Sequence, residues 1–371
     1  MDSYSGFLAE PSTSVPTLVW HSTFASLTGY SGSARALVLG LDARGIAVRP
    51  LFLHGADHDE QVLMGQLHPR IRQLQTLPLS LSVPQVVYGY GDRFSKNSGA
   101  YRIGFTMLEV DRLPATWVEQ ANQMDEVWTP TDWGADVFRA SGVQRPIYVV
   151  PLGVDTTCFH PGQQRTHLTD RTLFLSVFEW GTRKGWDILL RAYRAAFRPS
   201  DPVLLILKVD CRVPAANPVR ELTQFLPQPS PRVALIYNQP LTLEQMVELY
   251  QCADCFVLPT RGEGWGMPIL EAMACGTPAI TTNWSGPTTF VNEANGYPLP
   301  IRSLRATDSF SPYYQHARWA EPDETALVDL LHHVAANAEE RRQKGQIAAQ
   351  EAQRWSWPRS IDSICQRLAA I

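Results

Sequence analysis

Short apolar runs alternate with helix-like segments along most of this chain, and that alternation constrains the fold more than any other feature. The run at 16–21 is followed by a polar loop, a helical segment that ends at Gly45, and a second apolar run at 46–53. Strand, helix and strand in this order are typical of a parallel sheet that is covered by helices. The pattern predicts an α/β fold.

The alternation lapses once, between residues 155 and 170, where Thr, Gln, His, Pro and Gly replace apolar residues. A second series follows, with apolar, strand-like runs at 172–178 and 203–209. Two α/β series joined by a linker predict two doubly wound, Rossmann-like domains. The expected divisions are an N-terminal domain at 1–155, a C-terminal domain at 156–352, and a final helix within 353–371.

The charge balance argues against one class of partner. Lys and Arg number 32 against 36 Asp and Glu, a net charge of −4, whereas a nucleic-acid-binding protein should carry a basic excess. No apolar run approaches the roughly 18 residues that span a bilayer. Residues 1–17 also lack the basic and apolar regions of a signal peptide. We therefore expect a cytoplasmic protein that binds no nucleic acid.

The segment from Pro259 to Glu271 has the composition of a ligand-binding loop. It follows a strand-like run, contains three glycines at alternate positions, and places Pro268 in the first turn of a helix. A helix start offers unpaired N–H groups and a partial positive charge, and glycines let a ligand reach the main chain. The segment therefore predicts a site for a phosphate or for a polyhydroxylated ring.

Two acids, Glu263 and Glu271, help to identify the ligand. Carboxylates beside a diphosphate repel it, but ionised carboxylates accept strong hydrogen bonds from hydroxyl groups. Amides for phosphate and acids for hydroxyls together match a nucleotide-sugar, which carries phosphates, ribose hydroxyls and sugar hydroxyls. The alternative interpretation is a glycine-rich turn before a core helix, with two acids near the helix start.

Several segments carry a resemblance to a known family. Glu263 and Glu271 are followed by Ala-Met-Ala-Cys-Gly-Thr-Pro. Further similar segments lie at 151–161, 183–190 and 249–254. The combination resembles the retaining glycosyltransferases called group 1 or family 4. That resemblance implies the GT-B fold, in which two Rossmann-like domains face an interdomain cleft.

The resemblance implies a reaction as well. A retaining hexosyltransferase would move the sugar of a UDP- or GDP-linked donor to an acceptor hydroxyl, without a metal ion or other cofactor. The acceptor would be a saccharide, a lipid-linked molecule or a small molecule. The alternatives are a sugar-nucleotide epimerase or a phosphorylase of the same fold, and a non-catalytic sugar-nucleotide-binding protein.

Arg183 and Lys184 follow a strand of the second series, so they should point into the predicted cleft. Two cations there would stabilise the negative charge that develops on a departing nucleoside diphosphate. The family often has its arginine several residues earlier, where this sequence has Glu179, so Lys184 is the safer assignment. The alternative is a solvated pair of loop residues.

The same resemblance assigns the remaining residues of the 259–271 segment. Glu263 and the backbone of the four residues after it would hold the donor sugar, and Glu271 would hold the ribose. The four residues are Gly264, Trp265, Gly266 and Met267.

Two further candidates precede the linker. Gly29 lies in a predicted loop at 29–32, and the equivalent loop of resembling enzymes approaches the donor phosphates. A simple turn is the alternative for Gly29. Glu109 follows a strand on the expected acceptor side, where it could orient the acceptor hydroxyl or accept its proton. A structural carboxylate is the alternative for Glu109.

Some segments gain no firm role from the sequence. The basic residues between Arg183 and Arg198 could contact the inner membrane face peripherally, although a solvated helix face is the simpler interpretation. The Asp-His-Asp triplet at 57–59 superficially resembles a metal-binding motif, and we expect no metal there. Residues 303–320 form an aromatic insertion of unassigned purpose. The final helix should cross back to the first domain.

Overall fold

A computed structural model of the protein describes residues 17–26, 28–53, 67–162, 170–211, 216–308 and 311–371. The Asp-His-Asp triplet at 57–59 lies outside the described residues. Among those described, residues up to Thr106 together with 120–128 form one compact unit, and 107–119 together with 129–371 form a second. The short segment 107–119 therefore belongs with the later part of the chain. The domain boundaries expected from the sequence stay a prediction.

The first sheet has six strands in the order β2-β1-β3-β4-β5-β6, and its described registers are parallel. The strands are β1 (Leu18–Ser22), β2 (Val48–Phe52), β3 (Pro84–Tyr88), β4 (Tyr101–Phe105), β5 (Glu126–Thr129) and β6 (Ile147–Val149). The helices of this half are α1 (Gly29–Ala43), α2 (Pro69–Leu74), α3 (Ala115–Ala121) and α4 (Asp132–Ser141). All five residues of β1 are buried, as expected for a central parallel strand with both faces covered.

Helix α1 begins earlier than the sequence pattern indicates. The Thr28 side chain accepts a hydrogen bond from the Ser31 N–H and caps the helix, so Gly29 is its first residue. The predicted loop at 29–32 is therefore the first turn of α1. Threonine and serine at a helix start satisfy N–H groups that would otherwise lack partners, and the same small polar residues are common in loops, so the pattern does not separate the two.

The second sheet also has six parallel strands, in the order β12-β11-β10-β7-β8-β9. Its strands are β7 (Thr172–Glu179), β8 (Val203–Asp210), β9 (Val233–Tyr237), β10 (Cys255–Leu258), β11 (Ala279–Thr282) and β12 (Tyr297–Leu299). The accompanying helices are α5 (Trp186–Ala196), α6 (Pro218–Phe225), α7 (Leu243–Cys252) and α8 (Met267–Ala274). This is the strand order of a Rossmann-like sheet.

The order of the second sheet reverses between β7 and β10, which are neighbours although they lie far apart in sequence. Ligands of open parallel sheets bind beyond the carboxyl ends of the strands at such a reversal. The loops that leave β7 and β10 are residues 180–185 and 259–266. The strand order therefore places a candidate ligand site at the same two loops that carry Lys184 and Glu263.

The predicted aromatic insertion is an antiparallel hairpin. It consists of β13 (Ile301–Ala306) and β14 (Arg318–Pro322), with a 3₁₀ turn at Pro312–Tyr314 between them. Trp319 is buried, and its neighbour Ala320 donates its N–H to the carbonyl of Arg261 at 2.9 Å. The insertion thus packs against the loop that follows β10.

Three helices close the chain: α9 (Glu324–Ala336), α10 (Ala338–Ala352) and α11 (Trp357–Leu368). Gly153 lies against the start of α11, because a Cβ at Gly153 would come within 2.4 Å of the Trp357 nitrogen. Arg367 lies over the ring of Tyr148 at 4.1 Å. The predicted crossing of the last helix to the first domain stays a prediction.

Candidate functional site

The loops after β7 and β10 are joined through their main chains. The Arg261 N–H donates to the Arg183 carbonyl at 2.6 Å, and the Thr260 hydroxyl donates to the same carbonyl at 3.1 Å. Gly185 has φ +67°, and a Cβ there would lie 1.9 Å from the carbonyl oxygen of Pro259. A residue with a side chain cannot occupy position 185 without moving one loop away from the other.

Glu263 is the centre of the charged cluster, and its residue is only 6% exposed. One carboxylate oxygen accepts from Lys184 Nζ at 2.6 Å, from the Thr260 hydroxyl at 3.0 Å and from Arg183 Nη1 at 3.3 Å. Burial alone would raise the pKa of Glu263. The positive charges of Lys184 and Arg183 outweigh burial and hold that pKa below its ordinary value, so the carboxylate is ionised at neutral pH.

The two cations differ in how they are held. Burial is the largest influence on Lys184 and lowers its pKa, while the charge of Glu263 opposes the shift. Burial also acts against the charge of Arg183, but Glu109 and other neighbouring groups raise its pKa overall. Arg183 Nη1 additionally donates to the carbonyl of Gly262 at 2.6 Å. The structure therefore brings Arg183, Lys184 and Glu263 together, and the roles expected for them from the sequence stay a prediction.

Glu109 approaches the same cluster from the 107–119 segment. Its Oε1 lies 3.6 Å from Arg183 Nη2, and its Oε2 accepts a hydrogen bond from the Tyr314 hydroxyl at 2.8 Å. A Cβ at Gly262 would lie 2.0 Å from the Glu109 carbonyl oxygen, so the two backbones are in close contact. Glu109 therefore has a partner on the hairpin, Tyr314, that no sequence pattern indicated.

The glycines of the 259–271 segment are needed for close packing. A Cβ at Gly264 would lie 2.7 Å from Cγ of Met107, and Gly266 has φ +103° immediately before α8 begins at Met267. Trp265 lies between these glycines, yet its side chain is buried against Phe290 and Trp355 rather than exposed. Trp265 can therefore contribute only its main chain to a ligand.

Glu271 lies on α8 and has a hydrogen-bond partner outside the charged cluster. One of its carboxylate oxygens accepts from the hydroxyl of buried Tyr250 at 2.8 Å. Burial raises the pKa of Glu271 to about 7, and the hydrogen bond from Tyr250 only partly offsets that rise. The side chain is therefore partly protonated at neutral pH, unlike Glu263.

Replacing Glu271 with Gln should make protein stability less sensitive to pH. The pKa of Glu271 is about 7 in the folded protein and ordinarily 4.5. Between those values the folded state binds more protons than the unfolded chain, so the wild type loses stability as pH rises. Gln does not titrate. Relative to wild type, we expect the variant to gain about 2–3 kcal/mol between pH 4.5 and pH 8.

Thermal unfolding of both proteins at pH 4.5 and pH 8 measures this difference. The exposed Glu119→Gln substitution on α3 is the matched control, and it should leave the pH dependence of wild type unchanged. An equal difference in melting temperature between E271Q and wild type at the two pH values would contradict the prediction.

Arg261 is the residue that sequence reasoning missed. It is 1% exposed, and its guanidinium donates two hydrogen bonds to Asp187 at 2.8 and 2.9 Å and two to Glu321 at 2.9 and 3.2 Å. It also donates to the carbonyl of Thr182 at 2.5 Å. One buried side chain thus ties together the 182–187 segment, the loop after β10 and the hairpin.

Gly29, the remaining donor-binding candidate, lies in the first unit. It is the first residue of α1, and a Cβ added there would have no atom within 4 Å. Packing within the first unit therefore gives no reason for a glycine at position 29, whereas close packing explains Gly185, Gly262 and Gly264.

Several of the basic residues considered for membrane contact are paired within the protein. Arg191 on α5 bonds Glu324 at 2.8 Å and Asp187 at 3.3 Å, and Arg183 and Lys184 pair with Glu263. Within the described part of the chain, none of the helices combines the length and the apolar character needed to cross a bilayer. The described residues also contain no cluster of three or more potential metal ligands from His, Cys, Asp and Glu.

Part of the chain is similar in sequence to known glycosyltransferases. Residues 169–307 match the family model described as glycosyl transferases group 1. The D-inositol 3-phosphate glycosyltransferase of Geodermatophilus obscurus is 28% identical over 254 residues, which cover 64% of this chain and 53% of the relative. The mannosylfructose-phosphate synthase of Agrobacterium fabrum is 28% identical over a stretch that covers 38% of this chain and 34% of the synthase. The chain spans about half the length of the first of these relatives.

Solved structures share the fold over nearly the whole chain. Sucrose-phosphate synthase from Thermosynechococcus elongatus has a TM-score of 0.71 at 16% identity, covering 96% of this chain and 99% of its own. Anabaena HepE, solved with UDP and glucose, has a TM-score of 0.69 at 14% identity, covering 95% and 99%. The resemblance drawn from the sequence is confirmed. Residues 169–307 are similar to the group 1 glycosyl transferases, and the two parallel six-stranded α/β sheets are those of the GT-B fold, as in these solved structures.

Proposed function

We propose that this protein transfers a sugar from a nucleotide-diphosphate sugar to an acceptor hydroxyl, retains the anomeric configuration and needs no metal ion. The observation that carries the proposal is the cluster of Arg183, Lys184 and Glu263 at the strand-order reversal of the second sheet. It places two cations and a carboxylate next to a glycine-rich helix start. Those are the groups that a diphosphate and a sugar hydroxyl require.

The cations have capacity for a ligand beyond their internal partners. An ammonium has three N–H groups, and Lys184 uses one of them on Glu263. A guanidinium has five N–H groups, and Arg183 donates one of them to the Gly262 carbonyl and has Glu263 and Glu109 as ionic partners. Glu263 and Glu109 together balance the charge of the two cations without a ligand, and a bound diphosphate would share the cations with them. The backbone from Gly264 to Met267, which leads into α8, would supply amides.

The chemistry follows from where charge develops. The bond between the anomeric carbon and the diphosphate oxygen breaks, and the departing diphosphate gains negative charge that Lys184 and Arg183 stabilise. The acceptor oxygen forms the new bond on the same face of the sugar. Its proton passes to the departing phosphate oxygen, and Glu109 orients the acceptor hydroxyl. Glu271 holds the ribose through its carboxylate.

The comparisons support the donor class. A structural neighbour from Anabaena is in complex with UDP and glucose, and pneumococcal GtfA is in complex with UDP and GlcNAc. The relatives named above are glycosyltransferases or synthases of phosphorylated sugars. We therefore propose a UDP- or GDP-linked sugar as donor, and a saccharide, a lipid-linked molecule or a small polyol as acceptor.

A thermal-shift screen of nucleotide-sugars tests the donor class. A ligand present at about 100 times its dissociation constant stabilises the folded state by about 2.7 kcal/mol, which should raise the melting temperature by about 3–5 °C. We expect such a shift with at least one UDP- or GDP-sugar and none with NADH. A shift with NADH but with no sugar nucleotide would contradict the proposal.

A further inference from the structure

Two tryptophans from distant parts of the chain meet beside the charged cluster. Trp133, in the first turn of α4, and Trp284, just after β11, are both half-buried, and their ring centroids lie 5.0 Å apart at an interplanar angle of 71°. Cζ3 of Trp284 lies 3.1 Å from where a Cβ on Gly262 would sit. The pair thus lies against the same loop that carries Glu263.

The turn that presents Trp284 is strained and firmly attached. Ser285 has φ 63° and ψ −151°, a backbone region that residues other than glycine rarely adopt. Its hydroxyl accepts from the Glu263 N–H at 3.0 Å, and the Gly286 N–H donates to the Glu263 carbonyl at 2.9 Å. Strain of this kind persists only where the surroundings enforce it, and it concentrates at functional sites. The turn therefore holds the main chain next to Trp284 in place relative to Glu263.

Gly262 is the common neighbour of this ring and of Glu109. The Glu109 carbonyl oxygen and the Trp284 ring both approach the position that a Cβ on Gly262 would take, at 2.0 and 3.1 Å. The aromatic pair consequently lies close to the residue proposed to orient the acceptor hydroxyl. Lys184, by contrast, contacts the Glu263 carboxylate.

We propose that Trp133 and Trp284 form a subsite for a pyranose ring of the acceptor, an inference that rests on the proposed glycosyl transfer. A pyranose has an apolar face of C–H groups and a rim of hydroxyls. Two indoles at a steep angle offer an aromatic face to the ring and N–H donors to its rim. An acyclic polyol such as glycerol has no ring face and gains little from such a pair.

The test compares Trp284→Ala, Trp284→Phe and Trp133→Ala with wild type, and Trp357→Phe is the control because Trp357 is another half-buried tryptophan of the second unit. Acceptor KM and kcat are measured with methyl glucoside, maltose and glycerol, using whichever nucleotide-sugar the thermal screen identifies. Binding of maltose to the UDP-loaded proteins is measured separately by saturation-transfer NMR. Donor hydrolysis without acceptor reports on the donor site.

We expect W284A and W133A to raise the acceptor KM for the two glycosides about fivefold to tenfold, with W284F between them and wild type. Donor hydrolysis, the KM for glycerol and the W357F control should change less than twofold. Maltose should show saturation transfer with wild type, and the signal should weaken in W284A. Bound maltose without any sugar transfer would support the subsite while contradicting the proposed function.

Three results would overturn the subsite. The first is sugar transfer with unchanged glycoside KM in both alanine variants, which would leave the proposed function intact. The second is an equal loss for glycerol and for the glycosides. The third is wild-type protein that shows no maltose binding.

Discussion

Replacing Lys184 with Met should lower the turnover of a nucleotide-sugar by about 10²–10³-fold, the effect of removing one preorganised group that stabilises transition-state charge. Lys184 is the cation closest to Glu263, at 2.6 Å, and Met keeps much of its length without the charge. The negative charge of the diphosphate grows as its bond to the sugar breaks, so the loss should fall on kcat more than on donor binding.

Single-turnover release of nucleoside diphosphate measures this effect, with donor affinity measured alongside. Lys344→Met is the matched control, because Lys344 also has an internal partner, the ring of Tyr297 at 4.6 Å, but lies on α10 away from the cluster. The control should retain turnover within about twofold. If K184M kept wild-type turnover, the assignment of the diphosphate to the Arg183–Lys184 pair would be wrong.

Replacing Arg261 with Met should destabilise the protein by about 3 kcal/mol, which corresponds to a fall of about 4–6 °C in melting temperature. Arg261 is almost completely buried, and its loss leaves Asp187 with only Arg191 and Glu321 with only Arg305 as ionic partners, both partly exposed. Breaking one side of a buried ion pair costs far more than removing a surface pair, since the remaining charge has little access to water.

The pH dependence of this loss gives an internal check. Burial alone would raise the pKa of Asp187. The hydrogen bonds and charge of Arg261 outweigh burial, so the pKa in the folded protein is below its ordinary value. The pair therefore stabilises the protein above the ordinary pKa of an aspartate and loses that effect as pH falls through the folded pKa. The difference between R261M and wild type should shrink in acid.

Arg342→Met is the control for thermal unfolding, because Arg342 pairs with Glu339 on the surface of α10 and its side chain is 64% exposed. Its melting temperature should stay close to that of wild type. A melting temperature for R261M as high as that of R342M would show that the buried network does not hold the loops and hairpin together.

Much of the fold and the centre of the site could be predicted from local patterns. Apolar runs indicated the strands, and charged residues follow β7 and β10. Loops at the carboxyl ends of parallel strands share one edge of the sheet, so these charged residues are expected to lie close together. That rule brought Lys184 and Glu263 together in the prediction, 79 residues apart in the chain. The apolar periodicity could not show that a helix begins at Gly29, because the hydrogen bond of the Thr28 cap determines where that helix starts.

The partners of these residues were beyond the sequence for a physical reason. Arg261 reads as one more basic residue in a glycine-rich loop, and only the folded chain brings Glu321 to its guanidinium. Tyr314 and Glu109 are separated by 205 positions, and no periodicity relates a hairpin turn to a loop after β4. The strain at Ser285 is equally invisible, because a serine gives no signal of a positive φ.

The most direct test of glycosyl transfer follows the anomeric carbon itself. The protein is incubated with the identified nucleotide-sugar and methyl glucoside or maltose, and the product is examined by NMR alongside K184M. We expect a new glycoside with the anomeric configuration of the donor, formed in step with nucleoside diphosphate release and strongly reduced in K184M. An inverted product, an epimerised donor without transfer, or undiminished product from K184M would contradict it.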